Sequence, residues 1–367
     1  MNSSSKILII TSEFPPGPGG IGNHSYNLAK NLSLKGVKVN VLVISDIFFL
    51  DQVLNKNKSF KIHRIVNKSI IKYFKLIFYI TKYVIVNKKI KFIITGHLPI
   101  IIFGNIFGLF VKDTIGIIHG HESLMGNNLV KFLTKKSLLK INTLISVSKF
   151  SKQKVLEKIK HPKIKIISNG FDRKRFEGLV RREQLDLNKI NLITVGSVSE
   201  RKGQKNVIRA LPTLKSSYPE IEYHMIGNIY IEDEINKLAM CLDVTDNIKC
   251  HGYLDDLHLT DIMNNATIFI MLSENLSNGE VEGFGIAILE ANYFGVPVIG
   301  AKDCGIEDAV KNGYSGILID NNDINQLKTA IDNIMNNYEG FTKRSKEWSK
   351  RFYWERVIDK YIKYIDI

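Results

Sequence analysis

The sequence alternates between short apolar segments and amphipathic segments in two successive series, one before residue 170 and one after residue 190. Continuous apolar runs of this length, bounded by turns, predict buried parallel strands with helices between them. The predicted strands are Lys6–Thr11, Val37–Ser45, Lys91–Thr95, Thr114–Ile118, Leu144–Ser148, Lys165–Ile167, Leu192–Val195, Glu222–Ile226, Ile248–Cys250 and Ile268–Met271. Predicted helices cover Gly22–Leu34, Gln204–Leu214 and Ile231–Leu242. We therefore expect an α/β fold with two Rossmann-like domains joined near residues 170–190.

Length and composition agree with two globular domains. A chain of 367 residues can form two separate cores, and its apolar fraction of 44% is that of an ordinary globular protein. Cys241, Cys250 and Cys304 form no CxxC pair, which favours reduced thiols in the cytoplasm. The amino terminus does not have the pattern of a signal peptide, and no apolar run reaches the roughly 20 residues of a spanning helix. We expect a cytoplasmic protein.

Charge is divided unequally between the two halves of the chain. Residues 1–180 carry 30 Lys and Arg against 8 Asp and Glu, whereas residues 181–367 carry 21 against 28. A composition rich in Lys, Asn and Ile could account for part of this, but it would not reverse the sign, so an anionic partner is favoured. Ser69–Lys89 could lie on anionic lipid or pack on its own sheet. The sequence contains no known nucleic-acid-binding module, and nothing in it indicates an oligomeric state.

The segment from Glu280 to Ala291 has the composition of a phosphate and hydroxyl site. Gly283 and Gly285 allow the backbone to approach a ligand closely, and the first amides of a helix from Ile286 favour an anion. Glu282 precedes this helix and Glu290 lies inside it. Two carboxylates beside a phosphate are costly unless they bind uncharged hydroxyls, so the segment predicts a nucleotide-sugar pocket.

A second glycine-rich segment supports a different interpretation. Gly17–Gly22 fits the GxGxxG spacing, and Asp46 ends the second predicted strand, as in a nicotinamide-binding fold. However, the glycines begin several residues after the strand, beyond Phe14-Pro15-Pro16, which is too long for the tight dinucleotide turn. The second series also carries its own phosphate-type loops. A nicotinamide-dependent enzyme remains an alternative.

Further polar residues lie near predicted strand ends. Arg201 and Lys202 follow a strand and precede a helix, where a guanidinium and an ammonium can bind diphosphate oxygens. His119 and His121 follow the Thr114–Ile118 strand, but no clear third metal ligand accompanies them. Further residues that could line an acceptor site are Glu13 and Glu122. Acidic residues at helix starts, predicted to be helix caps rather than metal ligands, are Asp255, Asp256 and Glu232–Glu234.

In the order of its motifs, the chain resembles the retaining glycosyltransferases of family 4, whose signature is two glutamates separated by seven residues. Here these are Glu282 and Glu290. Further motifs that carry the resemblance are Phe14-Pro15-Pro16, Gly19-Gly20-Ile21-Gly22, His119-Gly120, Ser146-Val147-Ser148, Ser168-Asn169-Gly170-Phe171-Asp172 with Phe176, Val195-Gly196-Ser197, Arg201-Lys202-Gly203, Gly295-Val296-Pro297-Val298 and Gly305-Ile306-Glu307.

The resemblance implies the GT-B fold, in which two Rossmann-like domains face an interdomain cleft. It implies an acceptor domain of residues 1–172 with a returning helix at about 350–367, and a donor domain of residues 173–349. The resemblance places catalytic functions on His119, Arg201, Lys202 and Glu282. Residues that it assigns to the donor are Gly19, Gly20, Arg201, Lys202, Tyr253, Glu282, Gly283, Phe284, Gly285, Ile286 and Glu290.

The activity implied is transfer of a hexose-type sugar from a nucleoside diphosphate, with retention and with neither metal nor cofactor. The acceptor would be a glycan or a lipid-diphosphate-linked glycan in bacterial surface polysaccharide assembly, such as lipopolysaccharide or capsule, at the inner membrane face. The leaving phosphate oxygen would take the acceptor proton, so that positioning and charge stabilisation replace a dedicated base. Three alternatives stay open: a nicotinamide-dependent enzyme, a GT-B nucleotide-sugar isomerase, and a non-catalytic sugar-binding or membrane scaffold protein.

Overall fold

The structure is a computed structural model of the protein, and it describes residues 6–17, 19–45, 60–66, 71–86, 90–120, 126–180 and 185–365. The predictions for Asp46, His121 and Glu122 lie outside these residues. The chain divides into two compact units, of which unit 1 comprises residues 1–170 and 354–367, and unit 2 comprises residues 171–353. Unit 1 ends at residue 170, two residues before the predicted boundary at 172, and resumes at residue 354, four residues after the predicted start at about 350.

Unit 1 is built on a parallel sheet of seven strands in the order β3-β2-β1-β4-β5-β6-β7. Its strands are β1 (Lys6–Thr11), β2 (Lys38–Ser45), β3 (Lys61–Val66), β4 (Ile90–Thr95), β5 (Thr114–Ile118), β6 (Thr143–Ser146) and β7 (Ile164–Ile166). Strand β3 was not predicted. It lies at the sheet edge and buries only Ile62 and Ile65 fully, so it lacks the continuous apolar run of a central parallel strand.

The helices of unit 1 cover the two faces of this sheet. They are α1 (Gly20–Leu34), α2 (Ile71–Val86), α3 (His97–Ile106), α4 (Asn128–Leu138), α5 (Lys149–Leu156) and α12 (Trp354–Ile365). Helices α2 to α5 contribute to one core cluster with the strands, through side chains such as Ile80, Phe103 and Leu138. They therefore form one layer. Helix α1 belongs to the connection from β1 to β2, which runs along the sheet in the direction opposite to the connections that contain α2 to α5. Because such connections are right-handed, α1 lies on the other face of the sheet, where it contacts α12.

Unit 2 repeats this construction with a parallel sheet of six strands in the order β10-β9-β8-β11-β12-β13. Its strands are β8 (Asn191–Val195), β9 (Glu222–Ile226), β10 (Ile248–Gly252), β11 (Ile268–Met271), β12 (Val298–Ala301) and β13 (Gly316–Ile319). Its helices are α6 (Gln204–Lys215), α7 (Glu232–Cys241), α8 (Asp256–Asn265), α9 (Ile286–Phe294), α10 (Ile324–Met335) and α11 (Tyr338–Ser349). The prediction of two Rossmann-like series is confirmed.

Each sheet has one point where the strand order reverses. In unit 1 it lies between β1 and β4, and in unit 2 between β8 and β11. Open parallel sheets bind ligands outside the carboxyl ends of the strands at such points. Gly19 and Gly20 follow β1, and a 3-10 turn of Glu200–Lys202 follows β8. The fold thus places two of the predicted groups where a ligand site is expected.

Candidate functional site

Two cations of unit 2 converge on one carboxylate oxygen. The distance from Arg201 Nη1 to Glu282 Oε2 is 2.5 Å, and that from Lys202 Nζ to the same oxygen is 2.7 Å. Glu282 is buried, with 9% of its surface exposed. Two adjacent cations and a carboxylate about 80 positions later in the sequence therefore form one charged cluster of net charge +1. Such a cluster can exchange part of its internal ion pairing for contacts with an incoming anion.

The turn that carries the cations is held by a glycine and by the neighbouring strand end. Gly203 has a φ of 73°, and a Cβ at this position would lie 1.9 Å from the carbonyl oxygen of Leu272. The backbone N–H of Glu274 donates to the carbonyl of Arg201 at 2.8 Å. Gly203 is therefore required for the turn to approach the chain after β11, which is the neighbour of β8 at the switch point.

The backbone of Glu282 is held by the turn that follows β12. Gly305, in the turn after β12, donates its N–H to the Glu282 carbonyl at 2.8 Å. Burial alone would raise the pKa of this carboxyl, but the charges of Lys202 and Arg201 outweigh burial and lower the pKa to about 2. Glu282 is therefore ionised at neutral pH, and it accepts hydrogen bonds rather than acting as an acid.

The low pKa of Glu282 predicts a pH-dependent stability. The pKa is about 2 in the folded protein, against the ordinary value of 4.5 that applies in the unfolded chain. The stabilisation is therefore complete at pH 7 and decreases as the pH falls from about 5 to 2, because protonation breaks the ion pairs. We expect the difference in unfolding free energy between wild type and Glu282→Gln to shrink by on the order of 2 kcal/mol between pH 7 and pH 3. Urea unfolding near pH 7, 5 and 3 measures it. An equal difference at all three pH values would contradict the assignment.

A helix amino terminus follows Glu282 directly. Gly285 caps α9 with a φ of 88°, and the first amides of the helix begin at Ile286. Phe284 is buried, and its ring lies 6.0 Å from that of Phe352, so this side chain is part of the core. The side chain of Phe284 is therefore not available to a ligand. This end of α9 therefore supplies amide donors beside the charged cluster.

Glu290 lies in a second ion-pair network, on the buried face of α9. Arg175 Nη1 donates to Glu290 Oε1 at 2.7 Å, while Arg175 Nε and Nη2 donate to the two oxygens of Asp256 at 3.2 and 2.5 Å. Burial raises the pKa of Glu290, the charge of Asp256 acts in the same direction, and Arg175 opposes both. The Arg175 guanidinium thus orients Glu290 through Oε1, and this contact does not use the second carboxylate oxygen, Oε2.

Asp255 and Asp256 both lie at the start of α8, as predicted, but only Asp255 caps the helix with its side chain. Asp255 is the cap, because its Oδ1 accepts from the N–H of His258 at 2.9 Å. Asp256 instead binds Arg175. One side chain is enough to cap a helix, so a second acid beside it was the available signal. Glu234, from the other acidic segment, forms an ion pair of 2.7 Å with Lys205.

In unit 1, the predicted glycines lie at the start of α1. Gly19 has a φ of 138°, and a Cβ there would lie 2.1 Å from Glu13 Oε2. Gly20 is the first residue of the helix, and the space around its Cα is open. Eight residues separate the end of β1 from α1. This loop is longer than the tight dinucleotide turn, as predicted.

His119 lies at the carboxyl end of β5, within a buried aromatic cluster of unit 1. Its Nε2 shares a hydrogen bond of 2.9 Å with Thr95 Oγ1, and its ring lies edge-on to that of His24 at 5.0 Å. His24 Nε2 shares a hydrogen bond of 3.0 Å with Tyr361 Oη, on the final helix α12. Burial lowers the pKa of His24 to about 3, so this imidazole is neutral at physiological pH. The cluster fixes the position of His119 within unit 1.

The structure brings together some of the predicted residues and not others. Arg201, Lys202 and Glu282 form one cluster, whereas Glu290 is held by Arg175 in another. Tyr253 follows β10 and is 75% exposed. The ligand contacts predicted for Tyr253, Gly19, Gly20 and His119 stay predictions. Arg175 itself was missed, although it directly precedes Phe176, because nothing in the basic run Arg173-Lys174-Arg175 distinguishes one of its members.

Comparison with protein-family models divides the chain in a similar way. Residues 18–175 match the model described as Glycosyltransferase Family 4, and residues 176–353 match the one described as Glycosyl transferases group 1. Together the two models cover most of the chain, and the second includes all residues of both charged networks except Arg175.

Individual proteins similar to the chain have related names. A GDP-mannose-dependent monoacylated α-(1-6)-phosphatidylinositol monomannoside mannosyltransferase of Corynebacterium glutamicum is 28% identical over 60% of each chain. A putative colanic acid biosynthesis glycosyltransferase, WcaL of Salmonella typhimurium, is 27% identical over 39% of this chain. The matched segments span only 60% and 35% of these relatives' lengths.

Two solved structures share the fold over almost the whole chain. Sucrose-phosphate synthase from Thermosynechococcus elongatus superposes with a TM-score of 0.82 at 16% identity, covering 99% of this chain and 98% of that one. Anabaena HepE in complex with UDP and glucose superposes with a TM-score of 0.78 at 18% identity, covering 99% and 100%. At these identities the likeness concerns the fold.

Proposed function

Because this chain belongs to the glycosyltransferases of family 4 and has their GT-B fold, we propose that it transfers a hexose-type sugar from a nucleoside diphosphate to a glycan or lipid-linked acceptor, with retention and without a metal. The observation that carries the proposal is the charged cluster of Arg201, Lys202 and Glu282 at the switch point of unit 2. It combines two cations for a diphosphate with a carboxylate that is ionised and can accept a sugar hydroxyl.

Each part of the donor has a matching group in unit 2. The cationic pair would bind the diphosphate, with the amides at the start of α9 beside it. Glu290, held by Arg175, would accept from a ribose hydroxyl through its second oxygen. Glu282 would accept from the hexose. A bound nucleotide in HepE supports this assignment by analogy of fold.

The chemistry would proceed by exchange of one bond at the anomeric carbon. The bond from that carbon to the diphosphate oxygen breaks, and the bond to the acceptor oxygen forms on the same face. The acceptor proton passes to the departing phosphate oxygen. Negative charge develops on the diphosphate, where Arg201 and Lys202 stabilise it in place of a metal ion. No covalent intermediate with the protein is required.

The acceptor side of the proposal rests on unit 1 and on the relatives. One relative acts, by its name, on a phosphatidylinositol glycoside and another in colanic acid biosynthesis. Unit 1 contains most of the basic residues of the chain. We infer that the acceptor is a lipid-linked glycan of a surface polysaccharide such as lipopolysaccharide or capsule, and that the enzyme acts at the cytoplasmic face of the membrane. His119 is the unit 1 residue that we assign to the hexose.

A ligand screen tests the proposal first. We expect a nucleoside diphosphate or its sugar, UDP- or GDP-linked, to stabilise the protein against heat, by about 2.7 kcal/mol at a concentration 100 times Kd. The donor so identified is then assayed for sugar transfer with and without EDTA, and we expect equal rates. Stabilisation by NAD alone would overturn the proposal in favour of the nicotinamide-dependent alternative.

The remaining alternatives separate in the same assays. Conversion of the donor sugar without an added acceptor would indicate an isomerase. Binding of the donor without conversion or transfer, together with full cellular function of Glu282→Ala/Arg201→Ala, would indicate a scaffold protein. The transferase proposal instead predicts release of nucleoside diphosphate that depends on the acceptor.

A further inference from the structure

Helix α2 of unit 1 has two apolar faces, of which the sheet covers only one. Leu76 and Ile80 on the inner face are fully buried in the core. On the outer face, Phe74 and Phe78 are each 67% exposed. Packing on the sheet therefore explains half of the apolar pattern of this helix and leaves the other half unexplained. The outer side of a helix on a globular domain is normally polar.

The same outer pattern continues on the neighbouring helices of the layer. Phe110, in the turn after α3, is 80% exposed, and Phe132 on α4 is 60% exposed. The exposed large apolar side chains of this layer are Ile71, Phe74, Phe78, Tyr79, Ile85, Val86, Ile106, Leu109, Phe110, Leu129, Phe132, Leu139 and Leu156. Helices α2 to α5 share one core cluster, so these side chains project from one side of unit 1. The outer faces of α2 and α4, with residues 107–112, are called here the lysine-aromatic surface.

Lysines accompany the apolar side chains on this surface. Lys75 and Lys82 lie on the exposed face of α2, and Lys131, Lys135 and Lys136 on that of α4. The described residues from 71 to 165 include 16 Lys against only two acids, Asp113 and Glu157. The surface therefore combines rings that can enter an apolar medium with nearly unopposed positive charge.

We propose that the lysine-aromatic surface docks on an anionic lipid bilayer. Bilayer headgroups supply the negative charge that the lysines require, and the boundary of the acyl chains accommodates Phe, Ile and Leu side chains. A second copy of the chain fits less well, because a two-fold contact would place the same lysines against each other. Nucleic acid would meet the lysines but would leave aliphatic side chains such as Ile85 and Leu109 without an apolar partner. Among the described helices, none has both the length and the apolar character needed to cross a bilayer.

Docking on the bilayer rests on the proposed function only in that a lipid-linked acceptor explains why the enzyme would need to bind a membrane.

Sedimentation of the full chain with phosphatidylcholine vesicles, with and without about one third phosphatidylglycerol, measures binding to the bilayer. We expect binding to the anionic vesicles that weakens as salt is raised. Lys75→Gln/Lys82→Gln should lower the partition about 25-fold, at about fivefold per lysine. Phe74→Ser/Phe78→Ser and Phe110→Ser/Phe132→Ser should each lower it about tenfold or more.

The matched control alters exposed apolar residues of unit 2. Met240→Ser/Leu257→Ser removes two side chains of similar exposure and should leave vesicle binding unchanged. All variants should unfold at the wild-type temperature, because the altered side chains are exposed. Vesicle binding that persists in the Phe variants, or its absence at low salt, would overturn the proposal. Self-association that those variants abolish would assign the surface to a second copy. Nucleotide binding, measured on the same variants, tests the transferase function separately.

Discussion

Replacement of Lys202 by Ala is expected to lower kcat for sugar transfer by about 10²–10³-fold. The ammonium lies 2.7 Å from Glu282, at the switch point of the sheet, where a departing diphosphate gains negative charge. An interaction that strengthens as charge develops acts mainly on kcat and less on KM. Arg201→Ala should have a loss of the same order. Steady-state rates with the donor found in the ligand screen measure both.

Lys205 offers a matched control for this loss. It lies one residue after the start of α6, and it forms ion pairs with Glu200 and Glu234 instead of Glu282. Lys205→Gln removes one positive charge three residues after Lys202, so a general loss of positive potential would lower kcat in this variant as well. We expect its kcat within about threefold of wild type. A folded Lys202→Ala enzyme that keeps wild-type kcat would show that the cationic pair has no part in the chemistry.

Most of the fold could be predicted from the sequence because buried parallel strands consist of nearly continuous runs of apolar residues. Lys6–Thr11, Glu222–Ile226 and Ile268–Met271 have the predicted bounds. Edge strand β3 alternates between exposed and buried positions and was missed. Strand β13, at one edge of the unit 2 sheet, contains two residues that are only partly buried, and it was missed as well. The interior strand β12 was also missed, although all four of its residues are buried, because so short an apolar run does not distinguish a strand from other buried segments. An edge strand is less completely buried than a central strand, so its sequence need not be a continuous apolar run.

The charged networks were predicted less completely than the fold, since ion pairs depend on distant residues. The motif led to Glu282 and Glu290, but spacing does not indicate their partners. Glu282 meets two adjacent cations that the strand-to-helix turn had already singled out. Glu290 meets an Arg 115 positions earlier, whose other contact, Asp256, has the pattern of a helix cap. Only the three-dimensional packing of α8 against α9 brings these groups together.

Loss of Arg175 is expected to reduce both stability and nucleotide recognition. Arg175→Leu leaves the buried Glu290 and its neighbour Asp256 without a cation, which should lower the free energy of unfolding by about 3–5 kcal/mol. Arg173→Leu is the matched control. Arg173 forms a more exposed ion pair with Glu177 at 3.3 Å, so its loss should cost less than about 1 kcal/mol. Urea unfolding of the two variants measures the contrast.

A double variant separates stability from recognition. In Arg175→Leu/Glu290→Gln a neutral amide replaces the buried carboxyl group of Glu290. Most of the lost stability should therefore return, because no unpaired charge is buried at residue 290 and Asp256 has no acidic neighbour there. Preference for a ribonucleoside diphosphate over its 2′-deoxy form should not return, since the orienting guanidinium and the carboxyl group of Glu290 are both missing. Calorimetric titration with the two nucleotides measures this preference. If Arg175→Leu is as stable as Arg173→Leu and keeps the wild-type preference for ribose, the guanidinium does not position Glu290, and the ribose contact must be made elsewhere in unit 2.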